Sequence, residues 1–144
     1  MIEYVDNNIP TARGAKGERR KIIKIFYEKF LSKGNHFYND FLQEPVYINS
    51  IGKGETVFRA SLHWKSTLAF KYLPYIIKKA KVAAGERVYF PTKKDDDSQK
   101  TFVNLAVLYY EFSLKDISFK VKLTLGVQST GKFIQYSFSK IEIK

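Results

Sequence analysis

The segment from Ile117 to Val127 alternates apolar and polar side chains without interruption. Its apolar positions are Ile117, Phe119, Val121, Leu123, Leu125 and Val127, and the residues between them include Ser118, Lys120, Lys122 and Thr124. A period of two over this length fits a strand with one buried and one solvated face, and it does not fit a helix, whose period is about 3.6 residues. We therefore expect an antiparallel β-sheet with a lysine-bearing wet face.

Turn signals and two further strand patterns flank this segment. The run from Phe102 to Phe112 is almost wholly apolar or aromatic, and Ser113–Asp116 can form the turn that follows it. Gln128–Gly131 can form a second turn, after which the apolar positions are first Ile134, Tyr136 and Phe138 and then Ile141 and Ile143. A bulge near Ser139–Lys140 would explain this change of phase. Together these patterns predict a three-stranded meander.

Helical spacing marks the earlier part of the sequence. Within Glu18–Ser32 the apolar positions are Ile22, Ile23, Phe26 and Phe30, and Gly34 is a stop signal. We interpret Asn35–Gln43 as a further helical turn, and Val46–Ile48 and Thr56–Ala60 as strands. Ser66 or Thr67 can cap a helix that meets a second one at Pro74, because proline inside a helix costs about 3 kcal/mol. This second helix ends by Gly85, and Arg87–Phe90 is a short strand.

These elements predict one α+β domain over residues 1–144, in which helices pack on a curved antiparallel sheet that ends in the meander. Residues 1–17 are expected to be an extended arm, residues 18–44 a helical layer, and residues 46–144 a core of helices and meander. A hydrophobic share of 44% supplies enough apolar surface for such a core without disulfides or metal.

The charge balance favours an anionic partner. Lys and Arg number 25 against 14 Asp and Glu, which gives a formal net charge of +11. Such a field attracts RNA or another polyanion, or a small acidic protein. The absence of cysteine excludes thiol chemistry, and the sequence shows no apolar segment of membrane-spanning length and no secretory signal, so we expect a cytoplasmic protein that needs no membrane.

Motifs for cofactors and metals are weak. Gly52–Lys53–Gly54 is too short for a phosphate-binding loop of the ATPase type, and no dinucleotide fingerprint is present. Asp95, Asp96 and Asp97 could suggest a metal site, but adjacent carboxylates point apart, so a solvated turn is the favoured interpretation. We expect no cofactor and no metal.

Two parts of the sequence show a family resemblance. Leu73–Ile77 follows a basic turn that contains His63, and Gly131–Tyr136 precedes a closing Ile-Glu-Ile segment. In this order they resemble a domain of large polyvalent and head-associated proteins of phages and conjugative elements, which is related to the barnase-EndoU-colicin-RelE fold of ribonucleases. The resemblance covers about Val46 to the C-terminus and implies a metal-independent endoribonuclease from a mobile-element or toxin system. A non-catalytic basic binding module for protein or nucleic acid is the alternative.

The candidate residues follow from that chemistry. RNA cleavage by the ribose 2′-hydroxyl needs an acid-base group and cations around the phosphate. His63 is the candidate for the first role, in preference to His36, and Arg59 and Lys65 are candidates for the second. The resemblance adds Tyr136 and Ser137, since relatives often place a polar catalytic side chain on the last strand. For nucleic-acid binding the candidates are Trp64, with Tyr109 and Tyr110 as further stacking surfaces, and the lysines Lys53, Lys120 and Lys122.

Overall fold

The structure, a computed structural model, describes residues 9–33, 35–93, 95–114 and 117–141. Within these ranges four helices pack on a six-stranded sheet, which confirms the predicted α+β class. The helices are α1 (Lys16–Lys33), α2 (Lys53–Ala60), α3 (Trp64–Phe70) and α4 (Leu73–Lys79). The strands are β1 (His36–Asn39), β2 (Glu44–Tyr47), β3 (Tyr89–Phe90), β4 (Asn104–Leu114), β5 (Ile117–Val127) and β6 (Phe133–Ile141).

The sheet is open and its strand order is β1-β2-β6-β5-β4-β3. The meander β4-β5-β6 is antiparallel, as its alternation predicts. β2, however, pairs in parallel with β6 through Val46 opposite Phe133 and Tyr47 opposite Ile134, so the sheet is mixed. Parallel neighbours require a long connection. Here the connection comprises α2–α4, β3, β4 and β5.

One face of the sheet carries the main core. The residues that β5 buries there are Val121, Leu123, Leu125 and Val127, and all four helices contribute apolar side chains to the same cluster. From α1 these are Ile23, Tyr27 and Phe30, which recur at helical spacing. The four helices therefore form a helical layer on this face of the sheet. We call the other face of the sheet the opposite face.

The opposite face is only partly wet. Phe102 packs there with Ile134 and Tyr136 in a second, smaller cluster. A Cβ atom at Gly126 would lie 2.3 Å from the Phe102 ring, so the ring lies directly on the β5 backbone. Thr124, next in line on that face, is 8% exposed. The lysine-bearing wet face predicted for β5 is therefore confined to the end that carries Lys120 and Lys122.

The alternation of apolar and polar residues in β6 is interrupted at a different residue from the predicted one. Thr124 pairs with Ser137, whereas Leu125 pairs with Gln135, so Tyr136 is the extra residue of a bulge. The predicted bulge near Ser139–Lys140 is wrong, because those residues pair regularly with Lys122 and Val121. The bulge returns Phe138 to the main core while Tyr136 packs on the opposite face.

The helical turn predicted for Asn35–Gln43 is also wrong. This segment forms β1 and the turn of the β1-β2 hairpin, and Gln43 closes that turn with a φ of 55°. The side chain of the buried Asn39 fixes the hairpin: its amide donates to Ile77 O at 2.6 Å and to Ala80 O at 2.9 Å, and its Oδ1 accepts from Leu42 N. These contacts join Asn39 to residues near the end of α4 that lie far away in the sequence, so the local spacing of apolar residues does not indicate them.

The predicted strand Thr56–Ala60 is helical instead. A short 3-10 turn, Ser50–Gly52, precedes α2. Asn49 caps this turn, because its Oδ1 accepts a hydrogen bond from Ile51 N. Thr56, Val57 and Ala60 are buried at helical spacing against β6. A five-residue alternation is too short to distinguish the two periods.

Other boundaries differ less. Pro74 lies in the first turn of α4, as predicted, although α4 ends at Lys79 and not near Gly85. The cap of α3 is His63, while Ser66 and Thr67 donate hydrogen bonds to Ala60 O.

Of the predicted arm, residues 1–8 lie outside the described residues; Ile9 is buried in the core and Arg13–Ala15 is a 3-10 turn that leads into α1. The predicted stop at Gly34 also lies outside the described residues.

None of the helices in the described ranges combines the length and the apolar character needed to cross a membrane.

The approach of α2 to β6 gives a test of this packing. A Cβ atom at Gly52 would lie 2.1 Å from Gln135 O and 2.8 Å from Tyr136 Cα, both backbone atoms that cannot rotate away. We expect Gly52→Ala to lower the free energy of unfolding by about 1–3 kcal/mol through overpacking. Urea denaturation measures this change.

Gly54 provides the matched control. It lies two residues later in α2, and nothing lies within 4 Å of a Cβ atom built there. Gly54→Ala should leave stability unchanged or raise it by up to about 1 kcal/mol through helix propensity. Equal effects of the two substitutions would contradict the close approach.

Candidate functional site

Four of the predicted site residues lie together where α2 passes into α3. Arg59 bonds Glu55 at 3.0 Å, and its guanidinium lies 5.3 Å from the Phe58 ring. The His63 and Trp64 rings are 6.0 Å apart, and Lys65 Nζ lies 5.7 Å from the Trp64 ring. We call Arg59, His63, Trp64 and Lys65 the α2-α3 corner. It belongs to the helical layer.

His63 has a defined local role in this corner. Its Nδ1 accepts a hydrogen bond from Lys65 N at 3.1 Å and so caps α3, which is a task more often performed by Ser, Thr, Asp or Asn. A neutral imidazole that accepts at Nδ1 carries its proton on Nε2. In this arrangement Nε2 can donate a hydrogen bond, but it has no lone pair with which to take a proton from a 2′-hydroxyl.

The remaining predicted residues lie elsewhere. Tyr136 is 3% exposed and packs edge-on against Phe102 at 5.6 Å on the opposite face. Ser137 is 8% exposed and pairs with Thr124 on that face. Because the sheet lies between this face and the helical layer, Tyr136 and Ser137 are not assembled with His63.

The lysines of the wet end also have local partners. Lys120 Nζ lies 3.6 Å from Glu111 Oε1 and 5.2 Å from the Tyr109 ring. Lys122 pairs across the sheet with Tyr109 and Ser139. Tyr109 and Tyr110 are consecutive in β4, yet both pack against the main core and both line one groove beside β4. Their use as stacking surfaces stays a prediction.

A second basic feature lies between α1 and α2, and Lys53 is the only one of its residues that was predicted from the sequence as a candidate for nucleic-acid binding. A groove of about 470 Å³ is lined by Arg20, Lys24, Ser50, Lys53, Gly54, Val57 and Phe58. Within the described part of the chain Arg20 and Lys24 form no ion pair, whereas Lys53 pairs with Glu28 at 2.5 Å. The available signal was the four-residue spacing of Arg20 and Lys24, which places both on one side of α1.

The groove meets the corner at Phe58 and Arg59. Phe58 lines the groove and is 46% exposed, and the Arg59 guanidinium packs on its ring. The acidic residues beside them, Glu28 and Glu55, are neutralised by Lys53 and Arg59. We call this the basic helical surface, and its members are Arg20, Lys24, Lys53, Phe58, Arg59, Trp64 and Lys65.

The buried side chain of Arg19 connects the elements that carry this surface. It is 1% exposed, although its neighbour Arg20 is exposed. Its guanidinium donates to Ser61 O at 2.8 Å, to Pro10 O at 3.1 Å and to Ala12 O at 2.7 Å. Burial lowers the pKa of Arg19, but an arginine remains charged in a protein. One buried cation thus joins the N-terminal segment, α1 and the α2-α3 corner.

The carboxylates of Asp96 and Asp97 have different partners. Asp96 accepts a hydrogen bond from Gln99 and Asp97 pairs with Lys100 at 2.8 Å, next to the 3-10 turn Asp97–Gln99. Among the residues that the structure describes, no three His, Asp or Glu side chains are grouped so that they could hold a metal ion.

Comparisons with protein-family models, with curated proteins and with solved structures find no match to this chain. Its function must therefore be inferred from its own residues.

The role assigned to Arg19 can be tested by substitution. Arg19→Met keeps much of the side-chain volume but leaves Ser61 O, Pro10 O and Ala12 O without the guanidinium. We expect the free energy of unfolding to fall by about 2–4 kcal/mol, because hydrogen bonds from a charged donor contribute about 1.5–3 kcal/mol each and losses within one group are not additive. Thermal or urea denaturation measures the change.

Arg20→Met is the control, because the neighbouring side chain is exposed. We expect its effect to stay within about 0.5 kcal/mol. Similar losses for the two substitutions would show that charge or helix propensity, and not the buried contacts, accounts for the result.

Proposed function

We propose that this chain binds single-stranded RNA through the basic helical surface. The observation that carries this proposal is the groove between α1 and α2, where Arg20 and Lys24 form no ion pair with any described residue and lie beside the exposed ring of Phe58. Cations beside an aromatic ring are the combination that single-stranded nucleic acids require, since each nucleotide offers one phosphate and one base.

The charges suit a phosphate backbone. Arg20 offers a planar guanidinium that can bind phosphate through two hydrogen bonds, and Lys24 offers a compact ammonium group. Both are close to Lys53 in the groove, and Arg59 and Lys65 extend the positive surface along the α2-α3 corner. The formal net charge of +11 favours encounter with any polyanion. The groove concentrates that general attraction at one place.

The aromatic residues favour nucleic acid over other polyanions. Phe58 presents nearly half of its surface to solvent, and Trp64 is half-buried at the corner with Lys65 above its ring. An unpaired base can stack on such a ring, a contact that contributes about 1–3 kcal/mol per base. Heparin-like chains and inorganic polyphosphate have no base to offer.

Binding is favoured over cleavage by the position of the catalytic candidates. His63 uses Nδ1 to cap α3, and Tyr136 and Ser137 are buried on the opposite face. A ribonuclease needs a base, an acid and phosphate-binding cations within reach of one phosphodiester. Arg59 and Lys65 flank His63, so a ribonuclease remains the second candidate, with His63 as a hydrogen-bond donor to the leaving group.

Charge reversal in the groove tests the binding proposal. Arg20→Glu combined with Lys24→Glu should weaken binding to a fluorescein-labelled oligouridylate at least tenfold. If two phosphate contacts are lost, the slope of log K against log salt concentration should fall by about 1.4. Fluorescence anisotropy at several salt concentrations measures both quantities.

The matched control carries Lys122→Glu and Lys132→Glu. Lys122 lies on the opposite face, and Lys132 packs over Tyr47 at 4.0 Å on that same side. Each pair of substitutions lowers the formal net charge by four. Equal loss of affinity in the two variants would mean that overall charge, and not the groove, binds RNA, and the proposal would then fail.

A cleavage assay distinguishes the second candidate. The wild-type protein is incubated in excess with labelled single-stranded RNA in EDTA, and the products are separated on a denaturing gel. We expect the RNA to be bound and to remain intact, because His63 Nε2 carries a proton in the capped arrangement. Cleavage by the wild type that is lost in His63→Ala would instead assign ribonuclease activity to the corner.

A further inference from the structure

The sheet has an incomplete outer edge at β4. The edge strand β3 has only two residues, which pair with Leu105 and Ala106. Beyond it, Val107 N donates to Val88 O, and Tyr109 exchanges both of its backbone hydrogen bonds with Lys81. β4 continues for five residues after Tyr109, to Leu114, and no described strand covers this part on the outer side.

The direction of the backbone groups follows from these bonds. Successive residues of a strand direct their N–H and C=O groups to alternate sides. Since Val107 and Tyr109 direct theirs outward, Glu111 and Ser113 do so as well. Neither residue has a backbone partner on that side within the described ranges. We call this stretch, Glu111–Ser113, the β4 edge. It offers two donors and two acceptors in line.

A groove runs beside the β4 edge. It encloses about 740 Å³, and its lining includes Phe41, Tyr75, Lys81, Tyr110, Glu111 and Lys120. Phe41 is 44% exposed and Tyr75 is 38% exposed, and the Tyr75 ring meets Tyr110 edge-on at 5.9 Å. Burial, followed by the hydrogen bond with Tyr75, raises the pKa of Tyr110 to about 12. The groove thus has apolar walls for side chains next to a row of backbone groups.

The charged side chains that line the groove balance, with Lys79, Lys81 and Lys120 against Asp40, Glu86 and Glu111. Glu111 pairs with Lys120 at 3.6 Å, and Asp40 pairs with Lys79 at 3.5 Å. Lys81 lies at the point where the present edge pairing ends; neither Lys81 nor Glu86 forms an ion pair with any described residue, so the sign of the partner follows from the charge of the whole chain. A second copy of this chain would bring another charge of +11. An acidic segment is therefore favoured over self-association.

We propose that the β4 edge binds an extended acidic segment of a partner protein as an added strand. The backbone of that segment bonds to Glu111 and Ser113, an apolar side chain packs in the groove between Phe41 and Tyr75, and a carboxylate pairs with Lys81. Backbone hydrogen bonds supply affinity in this mode of recognition, and the side-chain pockets supply specificity. The site is separate from the basic helical surface, so it does not depend on RNA binding.

A model peptide tests this site. The probe is a fluorescein-labelled heptapeptide in which glutamate alternates with valine and phenylalanine, and its binding to the full chain is followed by fluorescence anisotropy. We expect saturable binding and slower amide hydrogen exchange at Glu111 and Ser113. Unchanged anisotropy throughout the titration overturns the proposal, as does binding that leaves exchange at both amides unaltered.

Substitution of Ser113 provides the matched comparison. Ser113→Pro removes the outward N–H group, and proline is tolerated where the N–H of an edge strand faces solvent, so the pairing of β4 with β5 is retained. Ser113→Ala loses the same hydroxyl, which bonds Ser118 at 2.9 Å, but keeps the N–H group. We expect Ser113→Pro to weaken binding about tenfold and Ser113→Ala to leave it unchanged.

Equal affinities for these two variants would show that the peptide binds through charge alone, and the proposal would be rejected. Lys81→Gln separates the contributions further, because it should weaken binding of the glutamate peptide without changing that of a serine-substituted peptide. Thermal denaturation of each variant confirms that it is folded before binding is compared.

Discussion

The arrangement of the helical layer depends on the contact between the start of α2 and the bulge in β6. Gly52 lies against Gln135 O with no room for a side chain. Thr56 Oγ1 donates to Tyr136 O at 2.9 Å and accepts from the buried Gln135 amide at 2.9 Å. The bulge thus turns the Tyr136 carbonyl and the Gln135 amide N–H group toward Thr56, where each is paired, whereas the buried Gln135 Oε1 has no hydrogen-bond partner among the described residues. α2 is fixed to the sheet there, and through Arg19 and Ser61 the N-terminal segment is fixed to α2.

Long elements whose apolar residues keep one spacing throughout could be predicted from the sequence. The eleven residues of β5 and the eighteen of α1 repeat their pattern often enough to determine the type of structure. Shorter segments could not be assigned in this way. β1 has four residues and owes its place to the bonds of Asn39 with α4, and α2 has eight residues that are helical because they pack on β6. Both depend on partners that lie far away in the sequence.

The candidate site shows the same division between local and distant information. Arg59, His63, Trp64 and Lys65 are close together because they are close in sequence, and the corner was predicted for that reason. The groove of Arg20 and Lys24 exists because α2 is a helix beside α1, which the sequence pattern did not indicate. Arg19 and Arg20 are adjacent and chemically identical, yet one is buried and the other exposed. Only the carbonyls of Pro10, Ala12 and Ser61 distinguish them.

The central position of β6 has a consequence for the order of events in folding. β6 follows the other strands in the chain, yet it lies between β2 and β5 in the sheet. Until it is in place, β2 and β5 expose hydrogen-bonding edges and the helices lack the surface on which α2 packs. Closing the loop between Tyr47 and Ile134 costs chain entropy before any contact of β6 compensates for it, as is typical of slow-folding topologies. During synthesis β2 and β5 therefore lack the strand that lies between them until residues 133–141 have left the ribosome, and their edges stay open to pairing with other chains for that interval.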